Sequence, residues 1–417
     1  MAIKISGNTI ISNNAASSNL DIGKNALANN TGIFNTAVGT NALNANLGAS
    51  LNTAVGSYSM YTNTTGYNNT AVGAFSLNQA TTAGDNTAIG HSSMRATTIG
   101  TDNTAVGSYS LRYSTTGNCN VAIGFFAMKN SSARFNTAVG ACSLCANTTG
   151  HYNTAVGGCS LDADTIGCRN TAVGWKSAAG TTSGSCNVAM GDCALCKNTT
   201  GCCNVALGSN SLFCSTIGGC NTVVGACSMR VNTTGSFNVA VGYCTFWSST
   251  TGACNTVVGA KSGGAMISGK NNTILGYLSG PSSSTVCNEI TLGNASITNL
   301  RCNDTTISAL SDERDKDNIQ DLDWGVDFIE SLRPVKFDWN RRDGSMEGKK
   351  DLGFIAQELD LVEDEYQSHE YTRLVHKENP DRWEADPMKT YPILIKAVQQ
   401  LSAKVKVIES EIAALKA

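Results

Sequence analysis

Charge is scarce over most of this 417-residue chain: only 13 of its 29 Lys/Arg and 8 of its 32 Asp/Glu lie before residue 311. That excludes an ordinary charged globular surface for the stretch, and equally a basic patch suited to nucleic acid. Proline is rarer still, five in all with four of them beyond residue 310, and aromatics make up 6%. No run approaches about 18 uninterrupted apolar residues, so no membrane insertion is expected. Met1-Ala2-Ile3-Lys4-Ile5 lacks the long apolar run of a secretory signal. What fills the first 310 residues is Gly, Asn, Thr, Ser and Ala, whereas the last 107 hold 16 basic and 24 acidic residues. Two different physical objects are joined near residue 311.

The first is a repeat. Its unit reads Asn-Thr/Val-Ala-Val-Gly-x-x-Ser-Leu followed by a turn such as Asn63-Thr64-Thr65-Gly66, and its glycines run from Gly23 and Gly39 to Gly276 and Gly293. Fourteen of the sixteen intervals between them are 17 residues and two are 16. Such a unit has room for two short strands and two turns but not for a strand plus a useful helix, and it is rich in Val, Ile, Thr and Gly. Each copy is therefore expected to be one coil of a parallel β-solenoid, with the Gly at a corner where the backbone bends or another backbone comes close. Side-chain alternation puts Thr/Val and Val/Ile on one face and Ala on the other. The small Ala face is expected to let neighbouring chains approach. At about 4.8 Å per coil the array makes a rod on the order of 77 Å long.

This unit resembles the head repeats of trimeric autotransporter adhesins, a resemblance that covers residues 19 to 293. It implies three chains packed about one axis as a β-roll, and says almost nothing about a ligand. Two alternatives remain open at this point: an adhesin-like cell-surface rod, and an ice-binding solenoid. Against the second, Val at 121, 188, 205 and 239 interrupts the column of Thr.

All 17 Cys lie between Cys119 and Cys302. Cys142/Cys145 and Cys193/Cys196 have Cys-x-x-Cys spacing but sit three coils apart, roughly 14 Å, too far for four thiolates on one zinc. No metal or other cofactor is expected. Cys142, Cys159, Cys193, Cys227 and Cys244 share one repeat position, and Cys119, Cys186, Cys203, Cys220 and Cys254 share another. They read as small buried fillers, with disulfides between adjacent coils as the competing reading.

In the tail, Ile319, Leu322, Val326, Ile329 and Leu332 recur at helical spacing up to Arg333-Pro334, predicting a helix that ends there. Val335 to Trp339 alternates like a strand, Leu352 to Glu358 reads as a strand entering a helix, and Tyr391 onward is helical. Leu394, Val398, Leu401, Val405, Ile408, Ile412 and Leu415 alternate four-three, the seam of a short coiled coil and a candidate trimerisation surface. The tail is thus a small α+β domain ending in a coiled-coil helix. His369 and His376 have no spaced partner in sequence that suggests a metal. Ser311-Asp-Glu-Arg-Asp-Lys316 opens the charged region. Serine is a poor nucleophile near neutral pH, and a lysine desolvated by burial can take its proton. Five residues on a straight helix lie about 140° apart, so a pair needs Ser311 before the helix or in a turn. The competing reading is a helix N-cap at Ser311.

Ser311 to Ile319, Leu332-Arg-Pro-Val-Lys-Phe-Asp-Trp339, Gly353-Phe-Ile-Ala-Gln-Glu358 and Tyr391-x-x-Leu394 through Leu401 together resemble the endosialidase-type intramolecular chaperone, the autoprocessing domain at the C-terminus of phage tail fibres and tailspikes. The resemblance spans residues 311–417. It implies a domain that trimerises, guides folding of the β-structure before it, and cuts itself off between Leu310 and Ser311. Ser311 would be the nucleophile and Lys316 its base, a single-turnover serine peptidase with no external substrate. It further implies a virion protein assembled in the host cytoplasm, with residues 1–18 as virion attachment to other tail or baseplate proteins. Residues 19–293 would be the shaft, 294–310 a distal tip or linker, and a host cell-surface receptor the partner.

Overall fold

The structure, a computed structural model, describes residues 3–5, 8–14, 18–297, 299–301, 311–340, 347–377 and 383–416. It divides into two compact units, Met1–Gly293 and Asn294–Ala417. The first unit is the expected parallel β-solenoid. From Asn19–Ile22 to Ile290–Leu292 each coil adds one short parallel strand to a single sheet, Thr on Thr, Ala on Ala and Val on Val, as in Thr53↔Thr70, Ala54↔Ala71 and Val55↔Val72. One strand per coil forms rather than two. The rest of the coil is a series of tight turns, whose backbone groups bond to the next coil instead, such as Met60 N–H to the Ser76 carbonyl at 3.0 Å.

Four features of the unit explain the coil. The corner glycine has φ near +138° at Gly56, and a Cβ there would lie 2.5 Å from the carbonyl oxygen of Gly73 in the next coil. Both sequence explanations for this glycine therefore hold at once: an unusual φ and a close backbone. Second, Met60, Leu77 and their equivalents are fully buried although their φ is positive. A side chain in that region costs about 1–2 kcal/mol, which burial worth about 1.5–3 kcal/mol offsets. Third, the Asn that opens each coil is buried and satisfied. Asn69 Nδ2 donates to the Ala83 carbonyl at 2.8 Å, while Asn52 Oδ1 accepts from Asn69 N–H at 3.0 Å and from Asn69 Nδ2 at 3.1 Å. This column ties coil to coil through the core. It ends where Asn272 Oδ1 accepts from the N–H of Glu289, whose carboxylate in turn accepts from Ser282 N–H at 3.0 Å.

The fourth feature corrects an expectation. Ala54, Ala71 and their equivalents are 0% exposed inside the solenoid's own core. The Ala face therefore cannot meet another chain. The half-buried Thr/Val and Val/Ile positions look outward, with Ile89 and Ile123 each 39% exposed. A coil only 17 residues around has an interior one side chain deep, so the small residue goes inside and the branched ones outside. Upstream, strands Ile3–Ile5 and Asn8–Asn14 pair antiparallel with each other, and the latter pairs antiparallel with Asn19–Ile22, covering the edge of the stack.

The cysteines also differ from expectation. None of the sixteen described is buried, and none is in a disulfide; Cys302 lies outside the described residues. Both columns fall at positive-φ corners, as Cys142, Cys159, Cys203 and Cys220 show, at positions that stay outside the core. Desolvation nevertheless holds the Cys159 and Cys203 thiols above their ordinary range, helped at Cys159 by Asp162 and Cys142 and at Cys203 by Cys186 and Cys220.

The second unit is a small α/β region. Its helices are α1 (Val326–Ser331), α2 (Ala356–Glu365), α3 (His369–Thr372) and α4 (Tyr391–Lys416). The predicted strand appears as Val335–Asp338, paired antiparallel with Lys350–Gly353, which leads into α2. The predicted first helix is shorter than its pattern. It starts only at Val326, after Gly325, because Val326 N–H is capped from outside by Gln400 Oε1 at 2.8 Å rather than by a preceding turn. Its core is Phe328, Leu359, Val362, Leu374 and Ile393.

Candidate functional site

Ser311 opens the described part of the tail. Asp312, not Ser311, caps the short 3₁₀ turn Glu313–Asp315: its Oδ1 accepts from Arg314 N–H at 3.0 Å, and the Arg314 guanidinium folds back on the same carboxylate at 2.6 Å. That guanidinium holds the Asp312 carboxyl below its ordinary range. The turn reverses the chain. Lys316 leaves it extended, with φ −130° and ψ 131°, and its Nζ comes back to 2.5 Å from Ser311 Oγ and 3.3 Å from the Ser311 carbonyl oxygen. The five-residue spacing that a straight helix forbids is thus met by a single turn with Ser311 just ahead of it. Both residues are exposed. Among the described residues, none buries the Lys316 side chain. Leu310 lies outside the described residues.

The seven seam residues sit along α4. Leu394, Val398, Leu401, Val405, Ile408, Ile412 and Leu415 are between 45% and 87% exposed, whereas Ile393 and Ala397, on the adjoining side where α4 packs on α1, are buried. One helix therefore carries two apolar faces, and only one is used within the chain.

Two arrangements escaped the sequence reading. Arg333 and Glu358 form a two-bond ion pair, Nε to Oε2 at 2.9 Å and Nη2 to Oε1, which fastens the strand segment to α2. Around His369, Nε2 lies 2.8 Å from Asp364 Oδ1 and Nδ1 lies 3.4 Å from Oε2 of the buried Glu363. Glu363 Oε1 accepts from Thr372 Oγ1 and Leu374 N–H, each at 2.6 Å, locking α3 onto α2. The hydrogen bond to Asp364 raises the His369 pKa above its ordinary value. His369 is thus a structural tie, its carboxylate partners brought to it by the fold. Asp360, Glu363 and His369 bring potential ligand atoms within 4.8 Å of one another, but Lys377 already pairs with Asp360. A five-residue offset between His369 and Asp364 across a helix end was the only signal in the sequence.

Among the described residues no helix is long and apolar enough to cross a membrane. No curated protein matches the chain. Residues 311–366 match a peptidase family model described as "Chaperone of endosialidase". That stretch contains the Ser311–Lys316 turn, the strand Val335–Asp338 and the whole of α2, and stops before α4. The chain is therefore a β-solenoid followed by a region similar to the endosialidase chaperone.

Proposed function

We propose that this chain is one protomer of a homotrimeric phage tail-fibre-type appendage, whose tail aligns and folds three solenoids and then releases itself by cutting between Leu310 and Ser311. The observation that carries this reading is the 2.5 Å contact between Lys316 Nζ and Ser311 Oγ inside the stretch that matches the chaperone family. Ser311 Oγ attacks the Leu310 carbonyl carbon as Lys316 takes its proton. The C–N bond breaks, the Ser311 amine leaves with a proton, and Leu310 remains as an ester on Oγ. Water then cleaves the ester, giving a Leu310 carboxylate and a free Ser311 hydroxyl. Attack within one peptide unit needs no substrate pocket, because proximity supplies what binding would.

As placed, Lys316 donates to Ser311, so it must shed a proton before it can accept one. Closure of the other two chains over this exposed turn would remove the solvent around it, which ties cutting to completed assembly. Two surfaces favour such an assembly: the apolar seam of α4, and the Val/Ile stripe that runs coil after coil along the shaft. Parallel stacking of near-identical coils is prone to slip by one repeat, and an aligned tail prevents it. Cutting then removes the route back, leaving a shaft that unfolds slowly. Residues 1–18 would attach the shaft to other tail or baseplate proteins, and the shaft would meet a host-surface receptor. Expression of Ser311→Ala and Lys316→Ala tests the cut: both should leave a single full-length chain that is still a trimer, and a shorter product from Ser311→Ala would refute cleavage there.

A further inference from the structure

The solenoid carries a concavity near its last coils, lined by Cys227, Arg230, Tyr243, Trp247, Lys261, Gly264 and their neighbours, with a volume of about 810 Å³. That lies within the range of about 300–1,000 Å³ in which small-molecule sites fall. We propose that this groove binds an acidic sugar unit, a pyranose bearing a carboxylate, within a host-surface polysaccharide. The inference rests on the reading of the shaft as the receptor-binding part and supplies the ligand class that reading lacks.

The groove is built by a local departure from the repeat. Five positions after the corner glycine, the three coils leading into the groove carry Phe213, Arg230 and Trp247, but one coil beyond Trp247 the position is Gly264. The indole takes the vacated space: a Cβ at Gly264 would lie 2.7 Å from Trp247 Nε1 and 3.4 Å from Cδ1. Ser248 Oγ–H donates to the Gly264 carbonyl and fixes the adjoining backbone. Trp247 is thereby held in place while remaining 50% exposed, beside Tyr243 at 57%. Two aromatic side chains at a groove wall, with an indole N–H to donate, suit the C–H face and hydroxyls of a sugar ring.

Charge specifies the rest. Arg230 and Lys261 are exposed at the rim, and among the described residues neither pairs with a carboxylate. From Cys193 to Gly293 the one acidic residue is Glu289, which is occupied by Ser282 N–H and Thr291 Oγ1. The site thus offers two uncompensated cations, one able to grip a carboxylate bidentately, within an acid-poor stretch of surface.

Calorimetric titration of the full-length protein with an oligogalacturonate, a neutral galactan oligomer of equal length and a single-stranded DNA tests this. The expected result is saturable binding of the oligogalacturonate at least tenfold tighter than of either other probe, with quenching of fluorescence that is absent in Trp247→Phe. Arg230→Ser/Lys261→Ser should weaken binding at least tenfold, and Gly264→Ile should do so by displacing the Trp247 indole. Equal binding of neutral and acidic oligomers, tighter binding of DNA, or an unaffected double variant would overturn the proposal. Chain cleavage and native mass are read on the same samples. A protein that cuts and trimerises but does not bind removes this inference alone, whereas one that does neither removes the assembly reading beneath it.

Discussion

The two units bury their side chains by opposite rules. In the solenoid every interior position recurs with the coil, Asn over Asn, Ala over Ala, Leu or Met over its equivalents, so each coil is stabilised by its immediate neighbours and any coil could sit beside almost any other. In the tail the core is five side chains that occur once, Phe328, Leu359, Val362, Leu374 and Ile393, and one long helix leaves a whole apolar seam uncovered. Repetition gives stability without an address. In the proposed assembly the tail, where nothing repeats, is where the relative height of the chains would be specified.

The sharpest way to break this comparison is at the uncovered seam. Val405→Asp/Ile408→Asp places charge on positions 51% and 53% exposed in the single chain, so the isolated fold should tolerate it. Trimers, and with them cleavage, should be lost outright in size-exclusion chromatography and on gels. Normal trimers from this variant would detach α4 from assembly.

In the shaft the largest destabilisation should come from a corner glycine. Gly157→Ala puts a Cβ 2.5 Å from the Gly174 carbonyl oxygen at φ +130°, and should cost at least about 2–3 kcal/mol in denaturant unfolding. A comparable alanine at the exposed Gly280, where a Cβ meets nothing within 4 Å, should be nearly silent.

Asp164 sharpens the comparison further, because it breaks the rule that the interior repeats. It occupies a buried position that is Asn63, Asn147, Asn198 or Asn232 in other coils, and burial raises its pKa to about 7 despite the Gly167 N–H at 2.9 Å. A carboxyl with a raised folded pKa stays neutral in the fold, so the cost of ionising it is absent below about pH 4, grows as pH rises, and is complete above about pH 7. Asp164→Asn should therefore stabilise the shaft at pH 8 by up to about 4 kcal/mol and leave it unchanged at pH 4. A gain that does not depend on pH would refute the ionisation account.

The smallest effect belongs to the tail. His369 has a folded pKa above its ordinary value, so its tie to Asp364 contributes fully below the unfolded pKa and fades as pH rises through the folded one. His369→Ala should narrow the tail's stability difference between pH 6 and pH 9. Thermal melts of the two proteins at both values check it.

The repeat made the solenoid legible from the sequence alone, because a period of 17 residues can only be a coil. Which face of that coil looks inward was not legible: alternation says that Thr53 and Val55 oppose Ala54 but not which side is enclosed, and the tightness of the coil decides it. The strand at Val335, the helix after Gly353 and the long final helix followed from local pattern, whereas the start of α1 depends on Gln400, 74 residues away. Ser311 and Lys316 were recognisable as a motif. Their approach depends on Asp312 and Arg314 closing a turn, a capping detail that reads equally well as plain helix chemistry.

The most direct test of self-release is the intact mass of the freshly purified protein and of the same sample after incubation, with its native mass measured alongside. The expected result is two polypeptides that meet between Leu310 and Ser311, with the longer one held in a trimer. A single full-length chain that stays uncut and runs as a monomer would contradict it.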